Sequence, residues 1–391
     1  MPIISDDEIK TLLADEKVSA LTVDTNIFDE KGLKLNSPTL QAISGIKDKP
    51  IDFLLSGTVA REIQAHLLKE TDGALRAVGR SIGQALGAFD TKTPTREELV
   101  KQITGERSAE EAAQQRFNQY IEDTGCSVLD DAKLVSVETL FSGYFDGQPP
   151  FGSGKKKNEF PDALALNALE AVAKERKAGI LVVSKDGDWK AFCENSKYLY
   201  LIPEIERALA LITDAPLGLR KALYAWISAD GDGRAEARQH ISYNVERLDF
   251  TANAHATHGE VDISTWAGEL KEVSWPDPAD IDIIEIEESG EGEPLRVVVS
   301  MPVDLVVSVL VELNFSFWDS VDKESLGMGG RSVEVDEELN LRSTITLDVH
   351  DLGTEDEEII IEDTELDEQF HEIELGEVNA FEPEDYWDGE E

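Results

Sequence analysis

Ile180-Leu181-Val182-Val183-Ser184-Lys185-Asp186-Gly187-Asp188-Trp189 opens on four apolar residues in a row. A strand apolar on both faces belongs inside a parallel sheet that is covered on both sides. Asp186, Gly187 and Asp188 follow it, and a helix is expected over Trp189–Asn195. Just upstream, Gly179 stops a helix expected over Asp162–Arg176. That helix sets Leu166, Leu169, Val172 and Ala173 on one face and carries Pro161 where a first turn tolerates it. Ala20–Val23 and Ile51–Leu55 are further short apolar runs. A helix is expected over 3–18 before the first run, and Ser56 or Thr58 can cap one reaching about Leu68 after the second. Residues 74–121 favour helix, with breaks at Gly87, Thr93-Pro94-Thr95 and Gly105. Cys126–Leu129 reads as a strand and Ala132–Phe141 as a helix. The alternation predicts an open α/β sheet covered on both faces.

The chain has 391 residues, 41% of them hydrophobic, which is enough for a real core and points to two or three domains. The expected division is an α/β domain over 1–213 with a helical insertion at about 72–124, a helical linker over 214–252, and an acidic β-rich domain over 253–391. In the last of these, Ile281–Ile286, Leu295–Val299, Leu305–Phe317, Ser332–Val335, Ser343–Val349, Glu358–Ile361 and His371–Leu375 read as strands. Several alternate apolar and polar residues, as in a half-buried, mainly antiparallel sheet. The last eleven residues, FEPEDYWDGEE, read as a tail.

Charge divides the chain in the same way. Against 36 Lys and Arg stand 81 Asp and Glu, a net of −45. Residues 1–213 hold 26 basic and 34 acidic side chains, whereas 214–391 hold 10 and 47. The acidity is therefore a property of the C-terminal part, and it does not argue against a nucleic-acid partner for the first part. No apolar run reaches the ~18 residues of a membrane span. The start, MPIISDDEIKTLL, has neither the basic head nor the apolar core of a signal peptide. A cytoplasmic protein with no membrane partner is expected, and an oligomer is compatible with the sequence. Two cysteines, Cys126 and Cys193, exclude a disulfide framework and read as core thiols.

Four acidic residues of the first part fall near strand ends. Asp24 ends the first strand. Glu62 lies in the helix after the second. Asp162 opens a helix, and Asp186, with Asp188 beside it, follows the Ile180–Ser184 strand. Sites in parallel sheets form beyond the carboxyl ends of the strands. Carboxylates gathered there repel one another unless a hard cation such as Mg²⁺ or Mn²⁺ holds them, and such ions can activate water against a phosphodiester. Taken singly, each residue has a plainer reading: a turn or cap for Asp24 and Asp186, a solvated face for Glu62, a favourable helix-dipole charge for Asp162.

Val23-Asp24-Thr25-Asn26-Ile27-Phe28, Val59-Ala60-Arg61-Glu62-Ile63, Phe160-Pro161-Asp162-Ala163 and Val182-Val183-Ser184-Lys185-Asp186-Gly187-Asp188-Trp189, in this order, resemble the PIN domain family of metal-dependent ribonucleases and related nucleases. The resemblance covers about residues 18–205. It implies a Rossmann-like sheet sandwiched by helices and a metal-binding pocket at Asp24, Glu62, Asp162 and Asp186, with Asp188 as a fifth or substitute ligand. It also implies that Thr25 or Ser184 orients ligands and that Asn26 supports the first turn. The long helical stretch after Glu62 and the appended acidic domain depart from small PIN proteins.

Lys155, Lys156 and Lys157 stand just before Asp162 and are expected either to hold substrate phosphates or to form a solvated loop. Glu159 reads as a surface charge in preference to an additional ligand, and His66, one turn after Glu62 on the same helix face, as a partly buried helix residue in preference to a substrate contact. Ser228–Gly233 resembles the start of a Ca²⁺ loop but has Gln239 at the twelfth position, so a polar turn is expected. The expected function is a Mg²⁺- or Mn²⁺-dependent endonuclease, with RNA favoured over DNA and the choice between them left open by the sequence. The rival is a catalytically silent PIN-like scaffold whose acidic β-domain binds a basic protein. A third reading has that domain mimic nucleic acid over its own nuclease site.

Overall fold

The computed structural model describes residues 5–47, 49–151, 159–228, 233–277, 280–288, 290, 293–319, 323–354 and 356–380. Lys155, Lys156 and Lys157, residues 229–232 of the Ca²⁺-like turn and the 381–391 tail lie outside the described residues. Two compact units form: Met1–Leu217 with Asp282–Val298, and Gly218–Ile281 with Val299–Glu391.

The first unit runs α1 (Asp6–Ala14), β1 (Val18–Val23), α2 (Thr25–Glu30), α3 (Pro38–Gln41), a 3-10 turn (Ala42–Ile46), β2 (Asp52–Leu55), α4 (Gly57–Ala88), α5 (Arg96–Thr104) and α6 (Ala109–Thr124). It continues through β3 (Ser127–Val128), α7 (Asp131–Leu134), α8 (Val137–Asp146), α9 (Phe160–Arg176), β4 (Gly179–Val183), α10 (Gly187–Asn195), β5 (Leu199–Ile202) and α11 (Ile205–Thr213). The five strands pair in parallel in the order β3-β2-β1-β4-β5. β4 is buried along its whole length, as its unbroken apolar sequence requires. The chain works outward from β1 to β2 and β3, then returns to the other side of β1 for β4. The order therefore reverses between β1 and β4, the place where sites in such sheets form, beyond the carboxyl ends of the strands.

Local chemistry explains the helix ends. Ser56 accepts from the Val59 N–H at the start of α4, and Asp131 accepts from the N–H groups of Gly57 and Thr58. α4 runs 32 residues, well past the expected end near Leu68, because its glycines are tolerated within a helix packed against α6. Thr95 with Glu98 and Ser108 with Glu111 form capping boxes on α5 and α6. Gly105 and Gly125 end those helices in the left-handed conformation. α6 belongs to the core: Phe117 and Tyr120 are buried, and the Tyr120 ring stands edge-on to Phe28 at 5.8 Å and to Phe53 at 6.3 Å.

A later stretch completes this unit. β9 (Asp282–Glu287) packs on α11 and on the 3-10 turn. Ile284 and Val298 join the buried core around β1 and β4. Thr213 Oγ1 donates to the Ile284 carbonyl at 2.9 Å, Ser44 Oγ donates to Glu285 at 3.3 Å, and Arg207 bridges Asp6 and Asp282. Burial raises the Glu285 carboxyl above its ordinary range.

The second unit holds α12 (Leu217–Trp226), α13 (Gly233–Val245), β6 (Asp249–Ala256), β7 (Glu260–Thr265), β8 (Glu269–Ser274), β10 (Leu295–Asp319, its first residues in the other unit), β11 (Glu324–His350), β12 (Glu358–Leu366) and β13 (Phe370–Val378). β7 and β8 pair antiparallel with β10, and β12 with β11, while β6 and β13 pair in parallel. The fold is thus an α/β parallel sheet with helices followed by a mostly antiparallel β region. β10 is one strand where the sequence suggests two, because Pro302 removes only its own ladder donor. Its buried residues Val303, Leu305, Val307, Val309, Val311, Leu313 and Phe315 alternate along one face. Among the described residues, no helix is long and apolar enough to cross a membrane.

Candidate active site

β1 and β4 run side by side in register, with Val23 opposite Val183, and the Asp24 N–H donates to the Val183 carbonyl at 2.9 Å. The next residues on each strand, Asp24 and Ser184, therefore meet. Ser184 Oγ donates to Asp24 Oδ2 at 2.6 Å and accepts from Asn26 Nδ2 at 3.3 Å and from the Asp186 N–H at 3.0 Å. One proton given and two accepted use the whole capacity of a hydroxyl. Ser184 thereby ties together the loops leaving both strands.

Asp24 is 6% exposed. Burial, with smaller contributions from the charges of Asp162 and Asp186, pushes its carboxyl up to about 7, against the opposing hydrogen bonds from Ser184 and the Thr25 N–H. Glu62 faces the same place from the second turn of α4, where Thr25 Oγ1 donates to its Oε2 at 2.8 Å. Burial raises the Glu62 carboxyl, and Asp162 adds to the rise. Asp162, in the first turn of α9, accepts from Trp189 Nε1 at 2.8 Å. Asp186 caps α10 by accepting from the N–H groups of Asp188 at 2.6 Å and Trp189 at 3.2 Å.

The electrostatics thus link all four expected carboxylates: Asp24 senses Asp162 and Asp186, and Glu62 senses Asp162. Two further residues take part, of which the sequence offered Glu159 as the lesser alternative to a surface charge and gave no sign of the other. Glu159 is half-buried, and its carboxyl is raised by burial, by a hydrogen bond with Asp162, and by the charges of Asp162, Asp188 and Asp186. Asp188 therefore lies on the Glu159 side of the cluster. Trp189 is the other: it is fully buried, and its indole N–H positions Asp162. A Trp shortly after a strand reads as core, and only its donor atom marks the second role. His66 faces Asp29 instead, with Nδ1 2.8 Å from Oδ1. Cys126 and Cys193 are buried thiols pushed up to about 12 by that burial.

Asp24, Glu62, Asp162 and Asp186 each accept from a different donor. Among the described residues, no group of three or more His, Cys, Asp or Glu is arranged to hold a metal ion. The donor chemistry nevertheless suits a hard divalent cation, since every candidate atom is an oxygen. The side-chain oxygen of Asn26, buried without a hydrogen-bond partner beside Ser184, adds one more.

Residues 21–189 match the PIN domain family, and this part of the chain is a PIN domain. PIN domains are a family of nucleases and typically use divalent metals. Comparison with curated proteins and with solved structures gives no match.

Proposed function

We propose that this PIN domain is a metal-dependent endonuclease that hydrolyses phosphodiester bonds, with RNA as the favoured substrate over DNA. The observation that carries the reading is the setting of Asp24: a buried carboxyl bonded to Ser184 across the β1–β4 pair, with Glu62, Asp162 and Asp186 each fixed by a donor of its own around it, and burial raising its ionisation. A structural role needs only an acceptor for Ser184, which an amide would provide without the cost of burying a charge. Such a perturbed acid at the carboxyl end of a parallel strand, among other carboxylates, is characteristic of sites that perform chemistry.

Asp24, Glu62, Asp162 and Asp186 would hold Mg²⁺ or Mn²⁺, with Asp188 as a further ligand. A cation of this kind, when bound, lowers the pKa of a water and neutralises charge on the leaving oxygen. The chain's own residues set the geometry. Ser184 fixes Asp24, Thr25 fixes Glu62, and Trp189 fixes Asp162. Metal ligands must be deprotonated, so the raised Asp24 carboxyl couples cation binding to release of a proton near neutral pH. Lys155, Lys156 and Lys157 are proposed to hold substrate phosphates. The acidic surface of residues 214–391 is proposed to recruit a basic protein.

The test incubates the full chain and its Asp24→Asn variant with single-stranded RNA, structured RNA and DNA, in Mn²⁺ or in chelator. Mn²⁺-dependent cleavage that disappears in the variant supports the reading, and RNA should be cut faster than DNA. Intact substrates throughout would favour the silent scaffold, whose acidic β region binds a basic partner.

A further inference from the structure

α2 and α4 meet through two matched side-chain pairs. Thr25 Oγ1 donates to Glu62 Oε2 at 2.8 Å, and His66 Nδ1 lies 2.8 Å from Asp29 Oδ1. Thr25 and Asp29 stand one turn apart on α2, as Glu62 and His66 do on α4. The second pair is therefore the next turn of the contact that fixes Glu62. Side chains so placed on one helix face have Cβ atoms ~5–6 Å apart, which sets His66 beside Glu62. Behind burial, the Thr25 bond and Asp162, the charges of His66 and Asp29 both reach the Glu62 carboxyl. The His66 side chain is 43% exposed, so its ring is open to a ligand from solvent, and a pair this exposed adds little to stability. His66 is also the only histidine of the first unit, residues 1–217 and 282–298.

We propose that His66 is the general acid of the reaction, giving the proton of Nε2 to the oxygen that leaves phosphorus, and that Asp29 is its positioning residue. The inference rests on the nuclease reading above and adds to it a group outside the carboxylates. Hydrolysis forms one P–O bond from water and breaks another. The departing oxygen ends as an alcohol, so a proton must reach it. Carboxylates that hold a cation are deprotonated and have none to give. Ser184 and Thr25 spend their hydroxyl protons on Asp24 and Glu62. Imidazole is the side chain most often used for such a transfer. A carboxylate accepts and does not donate, so the contact with Asp29 assigns a proton to Nδ1 and turns Nε2 away from Asp29. Among the described residues, Nε2 has no hydrogen-bond partner. In the step itself the Nε2–H bond breaks and an O–H bond forms on the leaving oxygen, while Nδ1–H stays on Asp29. The attacking water loses one proton to solvent and the neutral ring recovers one from solvent, so the count closes.

The experiment compares the full chain with its His66→Gln and Asp29→Ala variants in Mn²⁺, with folding checked by circular dichroism. The substrates are a short RNA, or DNA of the same sequence if only DNA is cut, and two copies in which sulfur replaces the 3′- or the 5′-bridging oxygen of the cut phosphodiester. A thiolate leaves without a proton, so sulfur at the leaving position removes the need for an acid. With enzyme in excess, His66→Gln should slow cleavage of the all-oxygen strand ~10²–10⁴-fold. On the strand with sulfur at the leaving position its rate should match that of the parent. Asp29→Ala should show a smaller loss, restored on the same strand. An unchanged rate on the all-oxygen strand in His66→Gln removes the acid and leaves the nuclease reading standing. An equal loss on all three strands also overturns the acid, because a binding or structural group would give it. An Asp29→Ala rate equal to that of the parent removes Asp29 as the positioning residue. A folded parent that cuts neither RNA nor DNA removes the nuclease reading and the acid with it.

Discussion

Ser184 Oγ lies 2.6 Å from Asp24 Oδ2, although 160 residues separate them along the chain. The parallel register of β1 and β4 brings them together at the point where the strand order reverses. The hydrogen bond only partly offsets the burial of Asp24. A carboxyl kept where its charge is costly reduces stability, and enzymes commonly accept that cost at their sites.

The first prediction concerns pH. An unfolded Asp ionises near 3.8, whereas folded Asp24 does so at about 7, so the folded chain holds the extra proton between these values. Stability should therefore fall as pH rises from about 4 to about 7, by at most ~4 kcal/mol from this group. Asp24→Asn should be more stable than the parent at pH 8, by ~2–4 kcal/mol, with most of that gain gone at pH 4. Urea unfolding in chelator at both pH values checks this. Equal stability of variant and parent at pH 8 would show that Asp24 ionises at no cost.

A second prediction isolates the donors behind the carboxylates. Trp189→Phe keeps an aromatic ring in the core but deletes the N–H that Asp162 accepts, and Thr25→Val does the same for Glu62. Supporting bonds of this type are commonly worth ~10–100-fold in metal affinity or activity. The Mn²⁺ concentration giving half-maximal thermal stabilisation should rise by that order in each variant, while Thr25→Ser should behave like the parent. Identical Mn²⁺ titrations for Thr25→Val and Thr25→Ser would remove Thr25 from any role in positioning Glu62.

The start of α4 supplies a third. Asp131 accepts from Gly57 N at 3.0 Å and from Thr58 N and Oγ1 at 2.8 Å. Asp131→Ala should cost ~1–2 kcal/mol through the lost cap. Because Glu62 sits in the second turn of the same helix, Mn²⁺ stabilisation should weaken too. Gly57→Ala should be worse than an ordinary helix substitution, because a Cβ there would meet the Leu129 carbonyl oxygen at 2.7 Å. Thermal melts with and without Mn²⁺ separate the two effects.

The fourth concerns β9. Ile284 is buried in the core of the first unit. Ile284→Ala should cost ~2–5 kcal/mol in urea unfolding. A fragment ending at Thr213 lacks Ile284 and Val298 and the bonds to Ser44, Thr213 and Arg207. It should unfold more readily than the full chain, and any loss of cleavage in it would reflect folding before chemistry. A fragment whose unfolding midpoint equals that of the first unit in the full chain would contradict this.

Much of the first unit was legible because its signals are local. The apolar run at Ile180–Val183 requires burial on both faces, and the breaks read at Thr93-Pro94-Thr95 and Gly105 fall where α5 begins and ends. The second unit was less legible. β6, β7 and β8 are short and largely polar, with exposed residues alternating with half-buried ones, so their alternation carries little contrast. The stretch Asp282–Glu287 reads as a strand but carries no mark of the unit that will cover it, since an apolar face suits either core.

The sequence by itself determined the strand-and-helix alternation, the acidic residues at strand ends and the separation of a near-neutral part from a strongly acidic one, because these follow from residue order and composition. Only the tertiary structure decided which groups meet. Register placed Ser184 against Asp24, and helix packing turned the Trp189 indole toward Asp162. Burial then set the protonation of Asp24. Desolvation and hydrogen-bond geometry depend on atoms brought from 27 to 160 residues away, and no local pattern encodes them.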